Sequence, residues 1–65
     1  MTKVERGVLA ALSKSWRDDA RRIRSALVGE FADVVTDGTL MGCRIEVRAL
    51  EANADALDAT LKRLR

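Results

Sequence analysis

The sequence predicts an all-α fold: an antiparallel two-helix hairpin that pairs with a second copy of itself as a four-helix bundle. Three observations carry this expectation. Proline is absent, and alanine, leucine and arginine abound across the 65 residues, a composition that favours long helices. Apolar residues recur at steps of three and four through most of the chain. One strong turn signal, Thr36-Asp37-Gly38-Thr39, divides that pattern in two. The whole of 1–65 reads as a single domain, too short to bury a comfortable core alone.

The first helix is expected over residues 3 to 35. Its apolar face reads Leu9, Leu12, Trp16, Ala20, Ile23, Leu27, Phe31 and Val34. Leu12, Ile23 and Val34 lie eleven apart, as do Leu9, Ala20 and Phe31, which suits a nearly straight helix better than a left-handed coil. Gly7 and Gly29 each weaken it by about 1 kcal/mol relative to alanine. Residues 36 to 39 form the expected turn. There Gly38 suits the left-handed conformation that ends a helix, and Asp37 or Thr39 suits the cap of the next.

The second helix is expected over residues 40 to 64, and it carries two seams. Leu40, Cys43, Val47, Leu50, Ala54, Leu57, Leu61 and Leu64 form one. Gly42, Ile45, Ala49, Ala52, Ala56 and Ala59 form the other, nearly opposite it. Folding back at Asp37-Gly38 sets residues whose numbers sum to roughly 76 against each other. Arg17 then meets Asp58, Arg21 meets Asp55, Arg24 meets Glu51, Glu30 meets Arg48 and Asp33 meets Arg44, with Lys14 against Lys62 the one clash. The same register sets Trp16 beside Leu61, Ala20 beside Leu57, Ile23 beside Ala54 and Leu27 beside Leu50. It assigns the leucine seam to the first helix and leaves the alanine seam uncovered.

An alternative organisation is α-β-β-α. Asp37-Gly38 is also a favoured hairpin turn, flanked by Val34-Val35-Thr36 and Thr39-Leu40-Met41. Cys43, Ile45 and Val47 alternate with charged residues in a strand-like manner. Against strands stands the lack of a helix cap just before Leu50.

Composition argues against catalysis. Histidine is absent, as are a glycine-rich phosphate loop and metal-ligand spacing, so no enzyme, cofactor or metal is expected. Asp18 and Asp19 are adjacent, diverge by 100° on a helix, and cannot share a proton. The lone Cys43 excludes an internal disulfide and suits the leucine seam as a small apolar residue. Charges near the N-terminus and the lack of a long apolar run point to a cytoplasmic protein away from membranes. Net charge is +2 with mixed signs, weak for an obligate nucleic-acid binder.

Two surfaces remain as candidate sites. One is a self-association or partner interface, made by Ala49, Ala52, Ala56 and Ala59 with Met41, Ile45, Val28, Ala32 and Val35 near the turn and Trp16 as an anchor. The other is an arginine stripe, Arg17, Arg21, Arg22 and Arg24, with Lys14 and Arg6 along the same side, suited to phosphates unless Glu51, Asp55 and Asp58 neutralise it. Lys62, Arg63 and Arg65 suit a helix C-terminus. In length and topology, and in the opening Met1-Thr2-Lys3, the chain resembles the small plasmid regulators of primer RNA, dimeric helical hairpins that bind paired RNA loops. With a central β-hairpin, its order resembles the small head-completion proteins of tailed phages. The expected function is structural or regulatory, through helix–helix protein interaction as a homodimer. The alternatives are a small RNA- or DNA-binding regulator and a phage-type virion assembly subunit.

Overall fold

The computed structural model describes residues 1–29, 33–34 and 36–64. Two helices pack side by side: α1 (Lys3–Val28) and α2 (Asp37–Arg63). Among the described residues there is no strand, so the α-β-β-α alternative is corrected. The segment Thr39–Val47 that alternates like a strand is continuous helix. Its three- and four-residue apolar spacing gives it a partner helix to bury against, and that outweighs the local period of two.

Both helices are capped by threonine. Thr2 Oγ1 accepts the Glu5 amide at 3.1 Å, and Glu5 Oε1 accepts the Thr2 amide at 3.2 Å, a reciprocal capping box. Thr36 Oγ1 accepts the Thr39 amide at 3.2 Å, and the acid Asp37 follows it in the first turn of α2. The second helix therefore starts three residues before the expected position 40. Gly38 lies inside its first turn with a negative φ instead of ending the helix before it.

The first helix also stops earlier than residue 35, at Val28. A Cβ on Gly29 would lie 2.9 Å from the Ser25 carbonyl oxygen, so the exit from the last turn accepts only glycine without adjustment. The connection accordingly spans the residues between Gly29 and Thr36, not 36 to 39. The expected helical positions Phe31 and Ala32, and the interface candidate Val35, lie outside the described residues.

The packing seam repeats every seven residues. On α1 the half-buried or buried positions facing α2 are Arg6, Leu9, Ser13, Trp16, Ala20, Ile23 and Leu27. On α2 they are Leu40, Cys43, Val47, Leu50, Ala54, Leu57 and Leu61, the expected leucine seam except for its last member, Leu64, which is exposed. The eleven-residue reading of α1 is corrected at its start. Leu12 turns to the flank, while Ser13, only 2% exposed, takes the central position.

The register of the core differs from the expected one. The short side chain of Ser13 brings its Oγ to 3.4 Å from the Ala54 carbonyl, so facing residue numbers sum to about 67. Carried on by seven-residue steps, this sets Ala20 beside Val47 and Leu27 beside Leu40, not Leu57 and Leu50. The same steps place Trp16 opposite Leu50 and Ile23 opposite Cys43, where the expected register has Leu61 and Ala54. Yet Arg17–Asp58 and Arg24–Glu51 form as expected, with numbers that sum to 75. The two registers are compatible because side chains on a helix lean toward its N-terminus. In an antiparallel pair both long side chains lean toward their own N-termini, so charged tips meet five to eight residue numbers above the backbone layer they cover.

Candidate functional site

The hairpin has a charged flank built on one polar knot. Ser13, in the seam of α1, donates to Asp58 Oδ1 at 2.7 Å and accepts from Arg17 Nη1 at 2.8 Å. Arg17 also bridges Asp58 Oδ2 at 2.8 Å and Asp55 Oδ1 at 2.6 Å. Two turns further along α1, Arg24 reaches Glu51 Oε1 at 2.6 Å. Asp58 is held below the usual carboxylate range by the Ser13 hydrogen bond first, against the opposing effect of desolvation, and then by Arg17. Desolvation lowers the Arg17 pKa, but Asp58 and Asp55 outweigh it and the net displacement is upward. No buried side-chain nitrogen or oxygen lacks a partner among the described residues.

All four arginines of the expected stripe have an acid within the hairpin. Arg17 and Arg24 reach across to α2, while Arg21 sits 3.7 Å from Asp18 and Arg22 pairs with Asp19, both along α1. Arg21 therefore does not take Asp55, which belongs to Arg17. Asp18 and Asp19 diverge as expected, and Lys14 takes Asp18 at 3.1 Å instead of facing Lys62. The Lys14 hydrogen bond is the main cause of a lowered Asp18 pKa. Asp33 and Arg44 form no ion pair, and Glu30, the expected partner of Arg48, lies outside the described residues.

Arg6 has a different role from the one its place beside the stripe suggests. Its Nη1 donates to the Leu61 carbonyl at 2.8 Å and its Nη2 to the Leu64 carbonyl at 2.6 Å. The last carbonyls of a helix have no partner of their own, and a cation there also opposes the negative end of the macrodipole. Arg6 therefore closes the C-terminus of α2 from α1. Sequence reasoning missed both Arg6 and Ser13 because it excluded them from the seam by residue type. Their seven-residue spacing with Ala20 and Leu27 was the available signal.

The second candidate surface is open in a single hairpin. Met41, Ile45, Ala49, Ala52, Ala56 and Ala59 all lie exposed on the face of α2 turned away from α1. Met41 and Ile45 are each 63% exposed, and Val28 at the end of α1 is more so. Trp16 does not join them. It sits half-buried between the helices as part of the seam. A further apolar strip, Val4, Val8 and Leu12, follows the free flank of α1. At the connection end an open groove of about 640 Å³ has Leu27, Val28, Leu40 and Val47 on its floor and Arg24, Arg44 and Arg48 on its rim.

Among the described residues no group of acidic or cysteine side chains has a metal-binding arrangement, and no helix is long and apolar enough to cross a membrane. Cys43 is a free, half-buried thiol in the seam. Comparison with known proteins finds no matching family model, no matching curated protein and no matching solved structure.

Proposed function

We propose that the chain is a small non-enzymatic structural or regulatory module that works through helix–helix association, with a second copy of itself as the first partner. The thinness of the core carries this reading. Among the described residues the buried apolar ones are Ala20, Val47, Ala54 and Leu61, and no large side chain is fully buried. Val4, Val8, Leu12, Val28, Met41 and Ile45 meanwhile stay exposed. The hairpin is long and flat, 46 × 17 × 11 Å, and exposes 5101 Å². A compact monomer of this mass exposes roughly 4,100 Å². The excess, about 1,000 Å², is comparable to the roughly 800 Å² that one partner contributes to a standard interface.

Sedimentation equilibrium tests this directly. The expected result is a dimer at micromolar concentration, with a melting temperature that rises with protein concentration. A stable, well-folded monomer at every concentration refutes it. The arginine stripe supports a nucleic-acid role less well, since each of its members already has an acid in the hairpin. That reading requires a mobility shift at low salt that weakens steeply as salt rises.

A further inference from the structure

We infer that the second copy docks on the outer face of α2, with the two α2 helices antiparallel about a two-fold axis beside Ala49. This rests on the self-association proposed above and gives it a geometry. Such an axis lays Ile45 on the partner's Ala52 and Met41 on the partner's Ala56, so the layers on either side of the Ala49–Ala49 centre set a large side chain on a small one. Interdigitation of that kind is what close helix packing requires.

The charges flanking this face are self-complementary only in the antiparallel sense. Arg48 lies toward the start of α2 and Asp55 toward its end, both exposed and on the same side of the face. A parallel pairing would carry this flank to the opposite side of the partner helix, so Arg48 and Asp55 would not meet. The antiparallel one sets Arg48 against the partner's Asp55, twice by symmetry. The hairpin itself calibrates the offset. Its cross-helix ion pairs sit five (Arg17–Asp55) to eight (Arg17–Asp58 and Arg24–Glu51) residue numbers above the Ser13–Ala54 layer. Arg48 with the partner's Asp55 stands five above the Ala49–Ala49 layer in the same way. Asp55 Oδ1 takes Arg17, and the side chain, 75% exposed, keeps its second oxygen for this contact. The resulting assembly is a row, α1-α2-α2-α1, in which the alanine seam forms the centre. The excess surface matches one interface of this kind per chain.

The test uses single thiols in a Cys43→Ala background, with circular dichroism to verify that each variant keeps its helices. Ala49→Cys, on the two-fold axis, should oxidise almost completely to a covalent dimer under conditions where sedimentation gives a dimer, and Val8→Cys on the other apolar strip should not. Arg48→Glu should raise the dimer Kd by about tenfold at low salt, with a smaller effect at high salt. A dimer by sedimentation in which Ala49→Cys stays reduced, or Val8→Cys links instead, overturns this geometry and leaves self-association standing. A folded monomer at all concentrations overturns both.

Discussion

A disulfide between positions 13 and 54 tests the register of the hairpin. Ser13 and Ala54 are both buried, and Ser13 Oγ approaches the Ala54 carbonyl to 3.4 Å, so the two positions face each other in the central layer. With Cys43→Ala to remove the native thiol, the variant Ser13→Cys/Ala54→Cys should close spontaneously in air. The bond closes a loop of about 40 residues, which on the chain-entropy account stabilises the fold by about 4 kcal/mol. Loss of the Ser13 hydroxyl and its two hydrogen bonds subtracts roughly 1 kcal/mol. The net gain over the Cys43→Ala parent is about 3 kcal/mol, whereas the oxidised form should melt roughly 20 °C above the reduced form, which shares the loss of the hydroxyl. Thermal unfolding by circular dichroism, with and without reductant, reads this out. Oxidised and reduced forms that melt together would refute the 67-sum core register. So would failure of 13 and 54 to link while Trp16→Cys/Leu61→Cys links readily, since that pair belongs to the alternative.

Three smaller perturbations probe the polar groups and the helix ends. Ser13→Ala removes the hydrogen bond that most depresses the Asp58 pKa, so that carboxyl should titrate closer to its ordinary value by NMR. A depressed native pKa stabilises above the unfolded value, about 3.9, and the contribution is lost as pH falls through the native one. The acid-induced loss of stability should therefore shrink in Ser13→Ala, and an Asp58 titration unchanged from the parent would contradict the assignment. Arg6→Ala should fray the last turn of α2, costing about 1 kcal/mol and speeding amide exchange at Leu64, whose N–H bonds the Thr60 carbonyl at 3.1 Å. Arg6→Lys should recover little, because one ammonium does not reproduce the two-pronged contact; full protection in either variant would exclude the cap. Gly29→Ala should destabilise by roughly 1–3 kcal/mol through its contact with the Ser25 carbonyl. Gly7→Ala, with nothing within 4 Å, should stabilise by up to about 1 kcal/mol. Denaturant melts that rank these two the other way would show that the first helix does not end at Val28.

Most of the topology was legible because it depends on patterns that survive errors of a few residues. The leucine seam of α2 is the observed seam position by position from Leu40 to Leu61, and a long apolar stripe needs only one partner helix. Three of the five expected charge pairings involved Arg17, Arg21 and Arg24, and two of these form. The core register was not legible from them, because a charge pair reports where two long side chains end while a core layer reports where two backbones lie. The turn was misplaced for a related reason. Asp37-Gly38 is a turn signal by residue type, yet Thr36 in front of it is a good cap, and a cap with an acid behind it starts a helix just as well. The capping box at Thr2 and Glu5 was present as a Thr-x-x-Glu spacing and went unread.

Arg6 and Ser13 also bear on why this hairpin should seek a partner. Two of the seven positions by which α1 meets α2 are polar and a third, Ala20, is small, while Ser13 itself faces the small Ala54. Each polar group is satisfied, Ser13 by Asp58 and Arg17 and Arg6 by the carbonyls of α2, so neither leaves an orphaned donor in the seam. A slip of one heptad would separate both from those partners, and a buried group left unpaired costs more than a hydrogen bond gains. Polar residues in a seam thus narrow the set of registers while reducing the apolar surface that holds any one of them together. The hairpin is well specified in this sense and thinly cored. The apolar surface that its inner seam lacks lies on the outside, at Met41 and Ile45 on α2 and at Val4 and Val8 on α1. The proposed association through the outer face of α2 would add stability without disturbing the polar contacts that set the register.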